Sequence, residues 1–301
     1  MTPRNLALAG ATLLVVSVIL AVVLPHRGKH HAAPPLPTTT TAPPPTTSAP
    51  APTTTAPPPP PPKPIPMSWE NAGALVWHTS DVDPDWLGQQ LRSAGFGWVG
   101  VYFDAGDPPD LSWIERLERA GGLAVGGWSV LGDDPHADAA LAARTIRQSG
   151  FSFYIADAEN PYQTDPNRSQ EFVTDFRALE PTLHAGLSSF CDANGIGLAP
   201  WANAGFEFLP QAYVNDFGAA VSPAACARAA SGYFPLSKVH PTVGSYHGQK
   251  GWVAPGRYIP LLAQAGTTGF SVYLAETNMT AEGWQSYGQA IKSLHIAARA
   301  S

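Results

Sequence analysis

The stretch "FYIADAEN", residues 153–160, closes a short apolar run with two carboxylates. Asp157 and Glu159 stand two apart, and side chains at i and i+2 of a strand face the same way. Carboxyls crowded on one face raise one another's pKa. One member then keeps its proton while its neighbour ionises. Cleavage of a glycosidic bond needs such a pair: an acid for the leaving oxygen, and negative charge beside the developing oxocarbenium ion. Further carboxylates follow other apolar runs: Asp81 the first, Asp104 the second and Glu276 the last. Asp81 and Asp104 have a competing use as helix N-caps. Glu caps poorly, so Glu159 and Glu276 read better as functional. Gln211, Tyr213 and Tyr246 end two later runs, and Trp77, Trp128 and Trp201 lie on or near the same rim. Flat apolar faces with polar edges suit stacking on sugar rings. The expected catalytic set is Glu159, Asp157, Glu276 and Asp81. The expected substrate-binding set is Asp104, Trp77, Trp128, Gln211, Tyr213 and Tyr246.

Other chemistries fit less well. "GSYHG" (244–248) holds Ser and His without the G-x-S-x-G spacing. His78, His184, His240 and His247 are scattered singly, with no H-E-x-x-H pattern for zinc. No metal or cofactor is expected, with an oxygen-rich calcium site in the acidic mouth as the alternative.

These residues need a frame that brings several strand ends together. Short apolar runs alternate with amphipathic stretches from residue 74 onward. The runs are "ALVWHTSD" (74–81), "WVGVYFDAG" (98–106), "LAVGGWSV" (123–130), "FSFYIADAE" (151–159), "LHAGLSSF" (183–190), "FEFLPQAY" (206–213), "PTVGSYHG" (241–248) and "GFSVYLAET" (269–277). Between them, "PDWLGQQLRSAG" starts on Pro84 and stops at Gly95, and "DLSWIERLERAGG" offers Asp110 as N-cap and Gly121 or Gly122 as terminator. "NGIGLAPWANAG" holds a short turn at best. Strand–helix alternation implies a parallel sheet with helices over its faces. Eight such units over about 235 residues match an α/β fold, the (β/α)₈ TIM barrel, whose active sites form at the C-terminal ends of the strands. An open doubly wound sheet is the runner-up; the first βα turn lacks G-x-G-x-x-G.

Three segments make up the 301 residues. Residues 6–24 carry no charge and are long enough to span roughly 30 Å of hydrocarbon as a helix. Basic residues flank them, and no convincing A-x-A cleavage site follows. Residues 1–31 are therefore expected to be a single-pass membrane anchor, or a secretion signal if cleaved, that leaves the C-terminal domain outside the cytoplasm. Residues 32–66 are almost all Pro, Thr and Ala, a composition that cannot bury a core. As extended polyproline II they reach roughly 110 Å at most, a stalk suited to crossing a cell wall. Residues 67–301 are one domain by size. All 23 acidic residues fall there with 13 of the 17 basic ones, a formal charge of −10 that disfavours nucleic acid. The two cysteines, Cys191 and Cys226, lie in this domain, and an extracytoplasmic setting permits a disulfide between them.

A D-x-E after the fourth strand resembles the barrel hydrolases that carry the motif there. These are the lysozymes of glycoside hydrolase family 25 and, more distantly, the chitinases of family 18 with their longer D-x-x-D-x-D-x-E. The resemblance implies that Glu159 is the general acid and that Asp157 orients an N-acetyl group or stabilises charge. It also implies that Asp81 is the strand-one carboxylate of the lysozymes. "PQAY" (210–213) resembles the strand-six edge of both families, with Tyr213 near substrate. Aligned on Glu159, the two further acidic positions of the chitinase motif hold Ser152 and Ile155, and "WHTSD" (77–81) stands where the lysozymes open with G-x-D. The function expected is an envelope-anchored glycoside hydrolase-like protein acting on cell-wall or other extracellular polysaccharide, peptidoglycan glycan included. The alternatives are a carbohydrate-binding barrel without catalysis and a structural envelope protein.

Overall fold

The period of two along each strand decides which side chains face inward. The computed structural model describes residues 60–191, 196–277 and 279–300. The expected anchor and most of the expected stalk lie outside the described residues. Among the described residues no helix is long and apolar enough to cross a membrane. Eight parallel strands follow one another: β1 (Gly73–Val76), β2 (Trp98–Tyr102), β3 (Ala124–Val130), β4 (Phe153–Asp157), β5 (His184–Phe190), β6 (Glu207–Gln211), β7 (Thr242–Gly244) and β8 (Ser271–Tyr273). Each pairs with the next, and β8 pairs back onto β1, so the sheet closes into a barrel and the open-sheet alternative falls. The helices between strands are α1 (Pro84–Ala94), α2 (Leu111–Gly121), α3 (Pro135–Ser149), α4 (Asn160–Thr164), α5 (Asn167–Leu179), α6 (Leu198–Asn203), α7 (Val214–Phe217), α8 (Pro223–Ala230), α9 (Pro255–Ala265) and α10 (Ala281–Ala300).

Asp83 and Asp110 cap α1 and α2, accepting from Trp86 N and from Ser112 N and Trp113 N. Gly95 and Gly122 stop those helices at φ +90° and +59°, where a Cβ would be strained. The turn expected at "NGIGLAPWANAG" contains the six-residue α6, although Pro200 sits inside it.

Val99, Val101, Tyr154, Ala156 and Leu187 point outward into one apolar cluster with Leu87, Leu91, Ile114, Leu117, Phe172 and Phe176 of the helices. The intervening residues Leu75, Trp98, Trp128, Phe153, Ile155 and Leu209 form a separate cluster that fills the barrel. Inward glycines make room for its rings: a Cβ on Gly126 would lie 2.5 Å from the Phe153 ring. Trp69 closes the N-terminal end, edge-on to Trp98 at 5.4 Å and to Phe153 at 5.5 Å. Just ahead of it, Ile65 N donates to Gly122 O at 2.8 Å, so the chain is tied to the barrel from that point.

Candidate active site at the barrel mouth

β4 turns Phe153, Ile155 and Asp157 inward on its period of two. In register, Asp157 stands beside Ser188 of β5 and Val130 of β3. One more ladder bond, Ala158 N to Ser188 O at 2.9 Å, carries the chain past the strand. Glu159 then begins α4: its carbonyl accepts from Tyr162 N and Gln163 N, while its side chain caps nothing. The carboxylate is left free to join Asp157. Gln211 reaches them from the end of β6. Its Nε2 donates to Asp157 Oδ1 at 2.9 Å and to Glu159 Oε1 at 3.1 Å, with Ser188 Oγ at 3.4 Å. Those two carboxyl oxygens are no farther apart than the two bonds laid end to end. Gln211, expected to bind substrate, spends its amide on the acid pair.

Asp157 is 7% exposed. Burial, reinforced by the neighbouring Glu159 charge, holds its carboxyl well above the usual range, against a weaker pull from the Ser188 and Gln211 donors. Among the described residues no Lys, Arg or His forms an ion pair with either acid. Asp157 therefore holds its proton to higher pH than an isolated carboxyl. Tyr213, also nearly buried, has its hydroxyl raised by burial first and then by Tyr273, Tyr246 and the two carboxylates.

Aromatic rings wall the rest of the mouth. Tyr102 lies 4.8 Å from Trp128, and Trp77 lies 5.3 Å from Tyr102 and 5.8 Å from Trp128. Tyr273 meets Trp128 at 5.8 Å and stacks on Tyr213 at 5.5 Å. Tyr246 stands edge-on to both tyrosines at 5.9 Å. Tyr273 feels Asp157, Glu276 and Glu159 at once, though burial dominates the upward shift of its hydroxyl. Tyr273, Tyr102 and Ser188 were not among the expected site residues. Their signal is the inward phase: Tyr273 lies two residues after Ser271, Tyr102 two after Gly100, and Ser188 two after Gly186.

The remaining expected residues are used differently. β1 stops at Val76, and a 3₁₀ turn over Thr79–Asp81 leads the chain away before Asp81 is reached. Asp81 is exposed, accepts from Ser80 Oγ at 3.0 Å, and lines a surface concavity with Asp83, Trp113 and Arg116. No hydrogen bond links it to Asp157, Glu159 or Glu276 among the described residues. Asp104 folds the loop after β2: Oδ1 accepts from Gly106 N at 2.6 Å and Asp107 N at 2.8 Å, and Oδ2 accepts from Tyr102 OH at 3.0 Å. That bond, secondary to burial, pushes the Tyr102 hydroxyl up to about 12. Glu276 Oε1 accepts from Trp77 N and His78 N at 3.0 Å each, tying the chain after β8 to the end of β1. Its Oε2 is buried without a partner, and burial raises its carboxyl against those backbone donors. Trp128 is buried, with Nε1 donating to Val76 O at 3.0 Å. Trp201 is not on the rim: it lies wholly buried in the helix layer with Phe172 and Phe206, because α6 turns it away from the mouth.

Cys191 and Cys226 are joined as a disulfide with their Cα atoms 4.6 Å apart, tying the end of β5 to α8. Among the described residues no three His, Cys, Asp or Glu side chains converge as a metal ligand set.

No family model matches this chain, and no curated protein matches it in sequence. Its fold does have solved counterparts. A class V chitinase from Nicotiana tobaccum superposes with a TM-score of 0.59 at 11% identity, over 73% of this chain and 98% of that one. The catalytic domain of a hyperthermophilic chitinase from Pyrococcus furiosus gives 0.54 at 11% identity, over 78% and 97%. A chitinase from Chromobacterium violaceum gives 0.54 at 15%, over 74% and 99%. At these identities the likeness shows a shared eight-stranded barrel fold. The lysozyme resemblance rests on the sequence motif alone.

Proposed function

We propose that the protein is a glycoside hydrolase-like barrel held outside the cell membrane, acting on an N-acetylated polysaccharide of the cell wall or its surroundings. One observation carries the reading: Asp157, buried and in no ion pair among the described residues, stands beside Glu159 under a single Gln211 amide at the C-terminal end of a closed barrel. The three chitinases of like fold and the D-x-E motif support the substrate class. In the proposed mechanism Glu159, the more exposed acid, delivers a proton to the leaving glycosidic oxygen. The C–O bond breaks as that proton arrives, and a water oxygen then bonds to the anomeric carbon while its proton returns to Glu159. The pair thereby becomes more negative just as positive charge grows on the sugar, which stabilises the oxocarbenium-like transition state. Asp157 orients the N-acetyl group or supports the charge, and the partly exposed rings of Trp77, Tyr102 and Tyr273 seat the sugar over the buried Trp128. The apolar segment 6–24 and the Pro/Thr-rich stalk supply the reason for an anchored, extracytoplasmic site.

A second reading, a barrel that binds glycan without cleaving it, is favoured by the closeness of the mouth, where Asp157, Gln211 and Tyr213 are each less than a tenth exposed. Release of reducing ends or muropeptides by the full-length protein, compared with Glu159→Gln, separates the two. Turnover that falls by at least about a hundredfold in the variant supports hydrolysis. Glycan binding with no turnover in either protein assigns the binding role. Equal turnover in both removes Glu159 from the chemistry.

A further inference from the structure

The loop after β7 is built as a rigid shelf beside the mouth. Gly248 and Gly251 close a tight hairpin, with Gly251 N donating to Gly248 O at 2.9 Å. The residues before α7's end hold it from below: Lys250 N donates to Asn215 O at 2.7 Å and Gln249 N to Asp216 Oδ1 at 2.8 Å. The other oxygen of Asp216 accepts from Tyr246 OH. The approach is so close that a Cβ on Gly248 would lie 2.5 Å from Asn215 O. What this hairpin carries is an aromatic pair, His247 exposed and Trp252 half-buried. His247 and Trp252 lie with ring centres 5.7 Å apart and planes 29° from parallel. Trp252 also lines a concavity of about 320 Å³ whose other walls include Pro255, Thr280, Glu282 and Ser286. Tyr246, the residue before His247, already touches Tyr213 and Tyr273 of the mouth. Ordering a loop costs conformational entropy, and this one is ordered without burying His247.

We infer that Trp252, stacked against His247, is an outlying subsite that binds a further pyranose of the glycan chain whose bond lies over Glu159. The apolar ring supplies the stacking face, and Glu282, Thr280 and Ser286 supply the hydroxyl partners that a sugar edge needs. The subsite rests on the glycan-binding function proposed above and extends it along the β7–β8 side of the mouth.

Chain-length dependence of binding tests the subsite. Affinities of the full-length Glu159→Gln protein for the disaccharide and the hexasaccharide of N-acetylglucosamine are measured by calorimetry, then repeated with Trp252→Ala and Trp252→Phe added. The expected result is tighter binding of the hexasaccharide, lost by about three- to tenfold in the Ala variant and restored in the Phe variant, with disaccharide affinity unchanged throughout. A hexasaccharide advantage that survives Trp252→Ala overturns the subsite alone. So does a loss that Trp252→Phe fails to restore, or one shared by the disaccharide. Failure of either sugar to bind the parent overturns the subsite together with the proposed glycan specificity.

Discussion

Replacing Asp157 by Asn should make the protein progressively more stable than its parent as pH rises. Asp157 is buried next to Glu159, and both effects favour its neutral form in the native state. Its native pKa thus lies above the value of about 3.9 that it has in an unfolded chain. Between the two values the native state holds a proton that the unfolded state has released. Stability therefore falls as pH climbs through that window, at up to about 1.4 kcal/mol per pH unit for one proton. Below the window both states are protonated, and above it both are ionised, so the difference is constant on either side. Asn keeps the side-chain shape and the Oδ1 acceptor that Gln211 Nε2 meets at 2.9 Å, but it never ionises. For a domain of this size the gap in melting temperature, variant minus parent, should widen by roughly 3–5 °C per pH unit within the window and then level off. Thermal unfolding followed by circular dichroism across acid to alkaline buffers reads it directly. Glu159→Gln, which removes the neighbouring charge, should move the parent's window to lower pH. A gap that is flat with pH, or one that turns in the parent's favour at alkaline pH, would refute the burial argument.

Two further perturbations probe the frame around the pair. Gln211→Leu keeps most of the volume but leaves Asp157 Oδ1 and Glu159 Oε1 without their shared donor; it should cost about 1–3 kcal/mol in urea unfolding and lose more at alkaline pH, where the uncovered pair is ionised. Paired Cys191→Ser and Cys226→Ser substitutions open a loop of 35 residues; in the chain-entropy model the loss is roughly 3–4 kcal/mol, and reduction of the parent should reproduce it.

The sequence displays some of this architecture because the causes are local. Pro84, Asp110, Gly95 and Gly122 announce helix ends by their own backbone preferences, and the structure uses all four in that way. Asp157 and Glu159 fall on one side because a strand alternates, a rule that needs no partner. Asp81 misleads for an equally local reason: "WHTSD" has strand-like residues at its start, yet three of its members form a 3₁₀ turn. The role of Gln211 could not be read along the chain. It depends on β6 lying next to β5, which lies next to β4, so the donor and its acceptors are 54 and 52 residues apart. Trp201 shows the same limit: a lone Trp beside a weak helix fits the rim or the helix layer equally well until α6 is in place.

How the fold disposes of its other acids is the strongest argument that the pair at the mouth serves chemistry. A carboxylate kept for structure finds a donor or a cation. Asp83, Asp110 and Asp134 cap helices, Asp85 meets Arg116, Asp133 meets Arg168, and Asp104 gathers two amides and a hydroxyl around its loop. Even Glu276 binds two backbone amides. Asp157 differs: it is buried beside a second acid, has the Gln211 amide and the Ser188 hydroxyl as donors, and forms no ion pair among the described residues. Such a placement lowers stability at neutral pH, by the same linkage that Asp157→Asn should relieve. An amide or a methyl-bearing side chain at that position would pack in the barrel without the penalty. On the proposed function, that cost is offset by the chemistry Asp157 supports. Shifted carboxyls without a structural counter-charge gather at sites of proton transfer. Stability and turnover should therefore move in opposite directions in Asp157→Asn. A variant that gained neither stability nor lost activity would return the pair to the status of packing.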